Sequence, residues 1–139
     1  MAATIDYGYK TGTRRIISMK VKAGQAIAAN DLVDLDSSGY LQACGAGDVP
    51  FGVAFGSCSA PSADGDIEIG VDTSDQSTYD YPLSAGSIAL SLIGKACDVG
   101  GAQSINASAA TDGCIEILDV NTATSLVTVR LIRKPANVA

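Results

Sequence analysis

The sequence predicts an all-β fold: a small single-domain β-sandwich or barrel of about nine or ten short strands with an extended N-terminal arm. Three observations predict it. Ile17, Met19 and Val21 alternate with Ser18, Lys20 and Lys22, and Ile67, Ile69 and Val71 alternate with Glu68 and Gly70, a period of two in both places. Apolar runs are short and separated by turn residues, with 15 Gly in the 139 residues. Helix formers are few: there are only two Glu, and the Ala residues sit beside Gly, Ser, Asp and β-branched neighbours rather than in amphipathic runs.

Residues 1–14 read as an extended arm, polar and Gly-containing, with Tyr7 and Tyr9 on one face when extended. A β domain over residues 15–135 and a tail over 136–139 follow. The alternation from Ile17 to Lys22 predicts a half-buried strand with a basic outer face. Ala23-Gly24 starts a turn, Leu32-Val33-Asp34-Leu35 is a strand, Ser37-Ser38-Gly39 reverses the chain, and Tyr40-Leu41-Gln42-Ala43 returns, with Tyr40 semi-buried beside the turn. After Pro50, Phe51-Gly52-Val53-Ala54 is another strand, and Asp64-Gly65 introduces the strand of Ile67, Ile69 and Val71.

Residues 72–82 (DTSDQSTYDYP) read as an exposed polar loop presenting Tyr79 and Tyr81. Residues 87–94 (SIALSLIG) are apolar and too short for a helix, which predicts a buried strand. Gly100-Gly101 and Thr111-Asp112-Gly113 are turns. The runs 114–120 and 126–133 flank a five-residue loop, Asn121-Thr122-Ala123-Thr124-Ser125, and form a terminal hairpin.

Length allows one domain that buries about 65–70% of its unfolded surface. Aromatics are 5% of residues, so small aliphatic side chains fill the core, and assembly adds to the stability of such a monomer. There is no run of 18 apolar residues and no leader-like segment, so the expected site of folding is a reducing cytoplasm. Cys44, Cys58, Cys97 and Cys114 are accordingly expected as free thiols.

Charge is distributed unevenly. The net charge is −6, yet residues 1–22 hold five basic groups against Asp6 alone, and residues 130–139 hold Arg130, Arg133 and Lys134. Between them Lys95 is the single cation among 14 acids. That body repels nucleic acid and anionic membranes, while the basic ends suit an acidic protein partner.

Catalytic chemistry finds little footing. The absence of His removes Ser-His-Asp and Cys-His arrangements. Lys95 has Ala89 and Ala96 where a phosphate loop needs Gly and a hydroxyl. Asp34, Asp36, Ser38 and Gly39 copy half of a calcium loop, but Gly45 stands where the bidentate Glu belongs, and a hairpin turn accounts for these residues better. No catalytic, cofactor or metal site is predicted.

The order of these pieces resembles the cement, or head-decoration, proteins that coat capsids of tailed bacteriophages. The resemblance rests on the Ala23-Gly24 turn, the Gly39-closed hairpin and Pro50-Phe51-Gly52-Val53-Ala54. It continues through Gly65-Asp66-Ile67-Glu68-Ile69 and Ile93-Gly94-Lys95-Ala96 to the C-terminal hairpin. It implies a non-enzymatic structural protein on the outer capsid surface of the virion, made in the host bacterial cytoplasm. Such a protein bridges neighbouring major capsid subunits, as a homotrimer on the capsid, with no nucleic acid, membrane or cofactor. Tyr7, Tyr9, Lys10, Arg14 and Arg15 are the candidate capsid-interface residues, because Tyr and Arg concentrate at interface hot spots. The alternative is a virion fibre or host-surface adhesin domain, for which Tyr79 and Tyr81 are the available sugar platforms.

Overall fold

The structure, a computed structural model, describes residues 8–132. Tyr7 and the rest of residues 1–7, residues 133–135 of the expected β domain and the tail 136–139 lie outside the described residues.

The fold is all-β. Among the described residues eleven strands follow in chain order: β1 (Gly8–Thr11), β2 (Ile16–Lys20), β3 (Leu32–Leu35), β4 (Leu41–Ala43), β5 (Gly52–Ala54), β6 (Glu68–Asp72), β7 (Thr78–Ala85), β8 (Ala96–Gly101), β9 (Ser104–Asn106), β10 (Ile115–Asn121) and β11 (Leu126–Leu131). They form two sheets. One has six strands in the order β1-β7-β11-β10-β8-β9, and β9 also pairs in parallel with β7, so five of its strands close into a ring with β1 attached outside. The other has the order β2-β6-β5-β3-β4, and a parallel bridge from Val21 to Leu41 ties β4 back to the end of β2. Closure removes most free edges, which is how small β domains avoid edge-to-edge association.

Each ring has its own core of small aliphatics. Ile105, Ile115, Ile117, Val99, Val127 and Val129 fill the larger, and Val21, Ile27, Val33, Leu41, Ile69 and Val71 the smaller. Leu32 and Val53 of the second sheet, and Cys44 just after β4, pack in the first core, which welds the two together. Local turn chemistry follows the sequence. Asp36 accepts the N–H groups of Ser38 and Tyr40, closing the β3–β4 hairpin around Gly39 at φ +87°. Asn121 Oδ1 accepts Ala123 and Thr124 N–H in the last hairpin, whose strands pair Ile115 to Leu131 through Asn121 to Leu126. The half-copied calcium loop is therefore a turn whose carboxylate is engaged by main chain.

Three expectations are corrected. Residues 72–82 are not an exposed loop: β7 begins at Thr78, and Tyr79 and Tyr81 are buried at 4% and 0% exposure on its inner face. Their spacing of two is strand alternation, which outweighs the polar residues between them. Residues 87–94 are not a buried strand but a 3₁₀ turn at Leu90–Leu92, with Leu90 75% exposed. Gly86 and Gly94, at φ +93° and +85°, break the extended path at both ends. Within the expected arm of residues 1–14, Gly8–Thr11 does not stand apart but pairs antiparallel with β7 of its own domain.

All four thiols are free, and three are buried. Burial pushes the Cys97 thiol up to about 12, helped by Cys114 and Asp98. Burial likewise raises Cys44 and Cys114. Cys58 is half-buried, with its S–H on Gln25 O. Since the thiolate is the reacting species, iodoacetamide at pH 8 should modify Cys58 first in the native protein. All four should react after denaturation without reductant. Mass spectrometry reads both, and a pair that stays protected in denaturant would show a disulfide instead.

Candidate functional site

The site grows from the chain between β1 and β2. Gly12, at φ +101°, turns the chain out of one sheet, and Thr13-Arg14-Arg15 carry it to the first strand of the other. Asp72, at the end of β6, anchors the crossing. Its Oδ1 accepts the N–H of Arg15 at 3.0 Å and of Ser74 at 3.0 Å, and its Oδ2 accepts the Tyr79 hydroxyl at 2.5 Å. One buried carboxylate thus joins the residue entering β2 to β6 and β7, and with them the two sheets. Burial by itself would raise this carboxyl, but hydrogen bonds from Tyr79, Arg15, Ser77 and Ser74 outweigh it and hold it below its ordinary 3.8. Tyr79 moves the other way, raised by burial first and then by Asp72, so it remains a neutral donor.

Above this anchor lies a stack of rings and one guanidinium. Tyr81 and Tyr79 are stacked at 6.1 Å, Tyr9 meets Tyr79 edge-on at 5.7 Å, and the Arg14 guanidinium lies 3.5 Å above the Tyr9 ring and 5.0 Å from Phe55. The Tyr9 hydroxyl donates to Gly12 O at 2.6 Å, closing the turn that presents Arg14. Arg14 Nε is buried without a hydrogen-bond partner, so aromatic faces rather than a carboxylate hold this charge. A groove of about 600 Å³ opens beside it, with Arg15, Ile17 and Phe51 facing Thr73, Ser74 and Gln76.

Of the residues singled out in the sequence, Tyr9, Arg14 and Arg15 come together here. Lys10 does not join them. Strand alternation turns it away to Asp80, 3.7 Å distant, and to Thr128. Tyr7 lies outside the described residues. Neither Arg14 nor Arg15 forms an ion pair among the described residues.

Sequence reading missed the apolar half of the site. Ile17 was expected inside, yet exposure rises from 0% at Val21, just past β2, to 40% at Ile17 near its start, away from the bridge that closes the ring at Val21. Ile16 is 42% exposed and lies over Gly70 beside Phe55, itself 51% exposed. The one sequence signal was Ile16-Ile17, an unbroken apolar pair in an otherwise alternating strand. Tyr79 and Tyr81, the platforms considered for sugar binding, are inside the core and present no face to solvent.

Among the described residues, no group of three or more His, Cys, Asp or Glu is placed to hold a metal ion. No protein-family model matches the chain, and no curated protein matches it significantly.

Proposed function

We propose that this protein is a structural, non-enzymatic capsid cement protein that docks on the outside of a tailed-phage head and bridges neighbouring major capsid subunits. The observation that supports the reading best is the face at the start of β2. An Arg clamped between Tyr9 and Phe55, a second Arg without an ion pair among the described residues, and exposed Ile16 and Ile17 make a hot-spot composition. The order of turns and strands that resembles decoration proteins supports the same reading. Each copy contributes moderate area, and many symmetric copies, as trimers on the capsid, turn weak contacts into a strong lattice. The protein is made in the host cytoplasm and carried on the outer surface of the virion.

Binding to undecorated heads tests this. The full-length chain should saturate heads at near-stoichiometric copy number relative to the major capsid protein, counted by mass spectrometry. Replacing Arg14 and Arg15 together by Ala should weaken binding about tenfold, mainly through slower association and with less dependence on salt. Absence from heads, or a few copies per particle, would remove the cement reading.

A further inference from the structure

The side of β2 turned away from β6 is an open strand edge. Its ladder to β6 uses the odd-numbered residues: Thr73 N–H donates to Arg15 O, and Val21 N–H donates to Ile67 O. Alternation along an antiparallel pair therefore turns the N–H and C=O groups of Ile16 and Ser18 away from β6. No strand among the described residues pairs along that side of β2. Closure begins only at its end, where Lys22 N–H donates to Leu41 O. The free stretch is short and centred on Ile16 and Ser18.

Its charges have one sign. Arg14, Arg15 and Lys20 flank the free stretch, and none of them is ion-paired among the described residues. A second copy pairing through the same strand would set these cations against one another, which disfavours a two-fold arrangement. The carboxylate that lines the groove, Asp75, accepts a hydrogen bond from Gln76 Nε2 at 3.2 Å.

We propose that the β2 edge takes an extended, acidic segment of a partner protein as an added strand. The segment's main chain pairs with Ile16 and Ser18. Its carboxylates meet the guanidinium groups of Arg14 and Arg15 at the start of the strand, and its alternate apolar residues cover Ile16 and Phe55 on one face. Main-chain pairing supplies affinity, and alternation supplies specificity. The inference rests on the docking reading above and narrows what the docked partner must offer: an exposed, strand-forming acidic stretch.

The test uses the full-length, ¹⁵N-labelled chain and a blocked synthetic nonapeptide alternating Asp or Glu with Val or Thr. Expected are chemical-shift changes and slowed amide exchange centred on Ile16 and Ser18. Affinity should fall about tenfold in the Arg14→Ala, Arg15→Ala variant. Ser18→Pro should abolish binding, because it removes an edge N–H while leaving the β6 ladder intact. A peptide with Pro at its pairing positions makes the same test on the untouched protein and should not bind. Equal binding of a peptide with Lys in place of its acids, shifts elsewhere in the chain, or no shifts at all would each overturn the proposal. Equal competition by an oligothymidylate would also overturn it, by showing plain attraction of polyanions. Binding of heads without binding of the peptide removes this inference and keeps the cement reading; binding of the peptide without heads does the reverse.

Discussion

Replacing Asp72 with Ala is expected to lower the stability of the domain by about 3 kcal/mol, because it removes the acceptor of one buried and two part-buried donors at once. The carboxylate is 1% exposed and holds the Tyr79 hydroxyl and the main-chain N–H groups of Arg15 and Ser74. Of these donors the Tyr79 hydroxyl is left buried without its acceptor, and the Arg15 and Ser74 N–H groups lose theirs in a part-buried setting. For a domain of this size the loss corresponds to a fall in melting temperature of about 10 °C. Asp72→Asn retains an acceptor for the N–H groups and should lose about 1 kcal/mol.

The pH dependence carries the sign of the shift. The folded-state pKa of Asp72 lies below the ordinary 3.8, so its stabilisation is fully present above that value and is lost as pH falls through the folded pKa. The gap in stability between wild type and Asp72→Asn should therefore be constant at neutral pH and narrow below about pH 4. Thermal melts across that range measure it. A gap independent of pH would show that shape, not charge, is what the site requires.

Asp72 also explains why half of the site was hidden in the sequence. Tyr9, Arg14 and Arg15 were legible because interface-prone side chains cluster there in a segment with little apolar content. Nothing in the local pattern says that a carboxylate 57 positions after Arg15 will hold that residue's main chain. The same limit explains Tyr79 and Tyr81. A window of polar residues reads as loop, and only the pairing of β7 with β1 and β11 makes alternate positions an inner face. The Leu90–Leu92 turn failed for the opposite reason: its apolar content reads as core, while flanking glycines at positive φ break the strand, leaving Leu90 in solvent and Leu92 only partly buried against the core. Hairpins closed by local Asp and Asn side chains were legible because their determinants lie within four residues. The two-ring closure depends on the β7–β9 pairing and the Val21–Leu41 bridge, both long-range.

Because β1 belongs to the domain, truncation of the arm is not a neutral experiment. Removing residues 2–12 would strip the β1 pairing from β7 and uncover the Tyr79 ring, so weakened docking would be confounded with a weakened fold. A point change at the turn separates position from presence more sharply. Gly12→Ala is expected to be the most disruptive small substitution in the site. A Cβ at Gly12 would stand 2.0 Å from Gln76 O and 2.8 Å from Gln76 C, main-chain atoms that no rotamer can move aside. The backbone there is at φ +101°, where an L side chain is strained before any clash.

Two terms add: about 1–2 kcal/mol for the dihedral and at least as much for displacing the 76–77 segment, giving a loss of about 3–4 kcal/mol. Gly24→Ala isolates the first term. Gly24 has φ +80° but nothing within 4 Å of its Cβ, so it should lose only about 1 kcal/mol. Denaturant melts of both variants give the difference. The local consequence is equally specific. With the turn displaced, Tyr9 loses its hydroxyl bond to Gly12 O, Arg14 loses its ring, and head binding should fall at least as far as in the Arg14→Ala, Arg15→Ala variant. If Gly12→Ala and Gly24→Ala melt alike, the close approach of β1's end to Gln76 does not constrain the fold, and the turn does not set the position of Arg14.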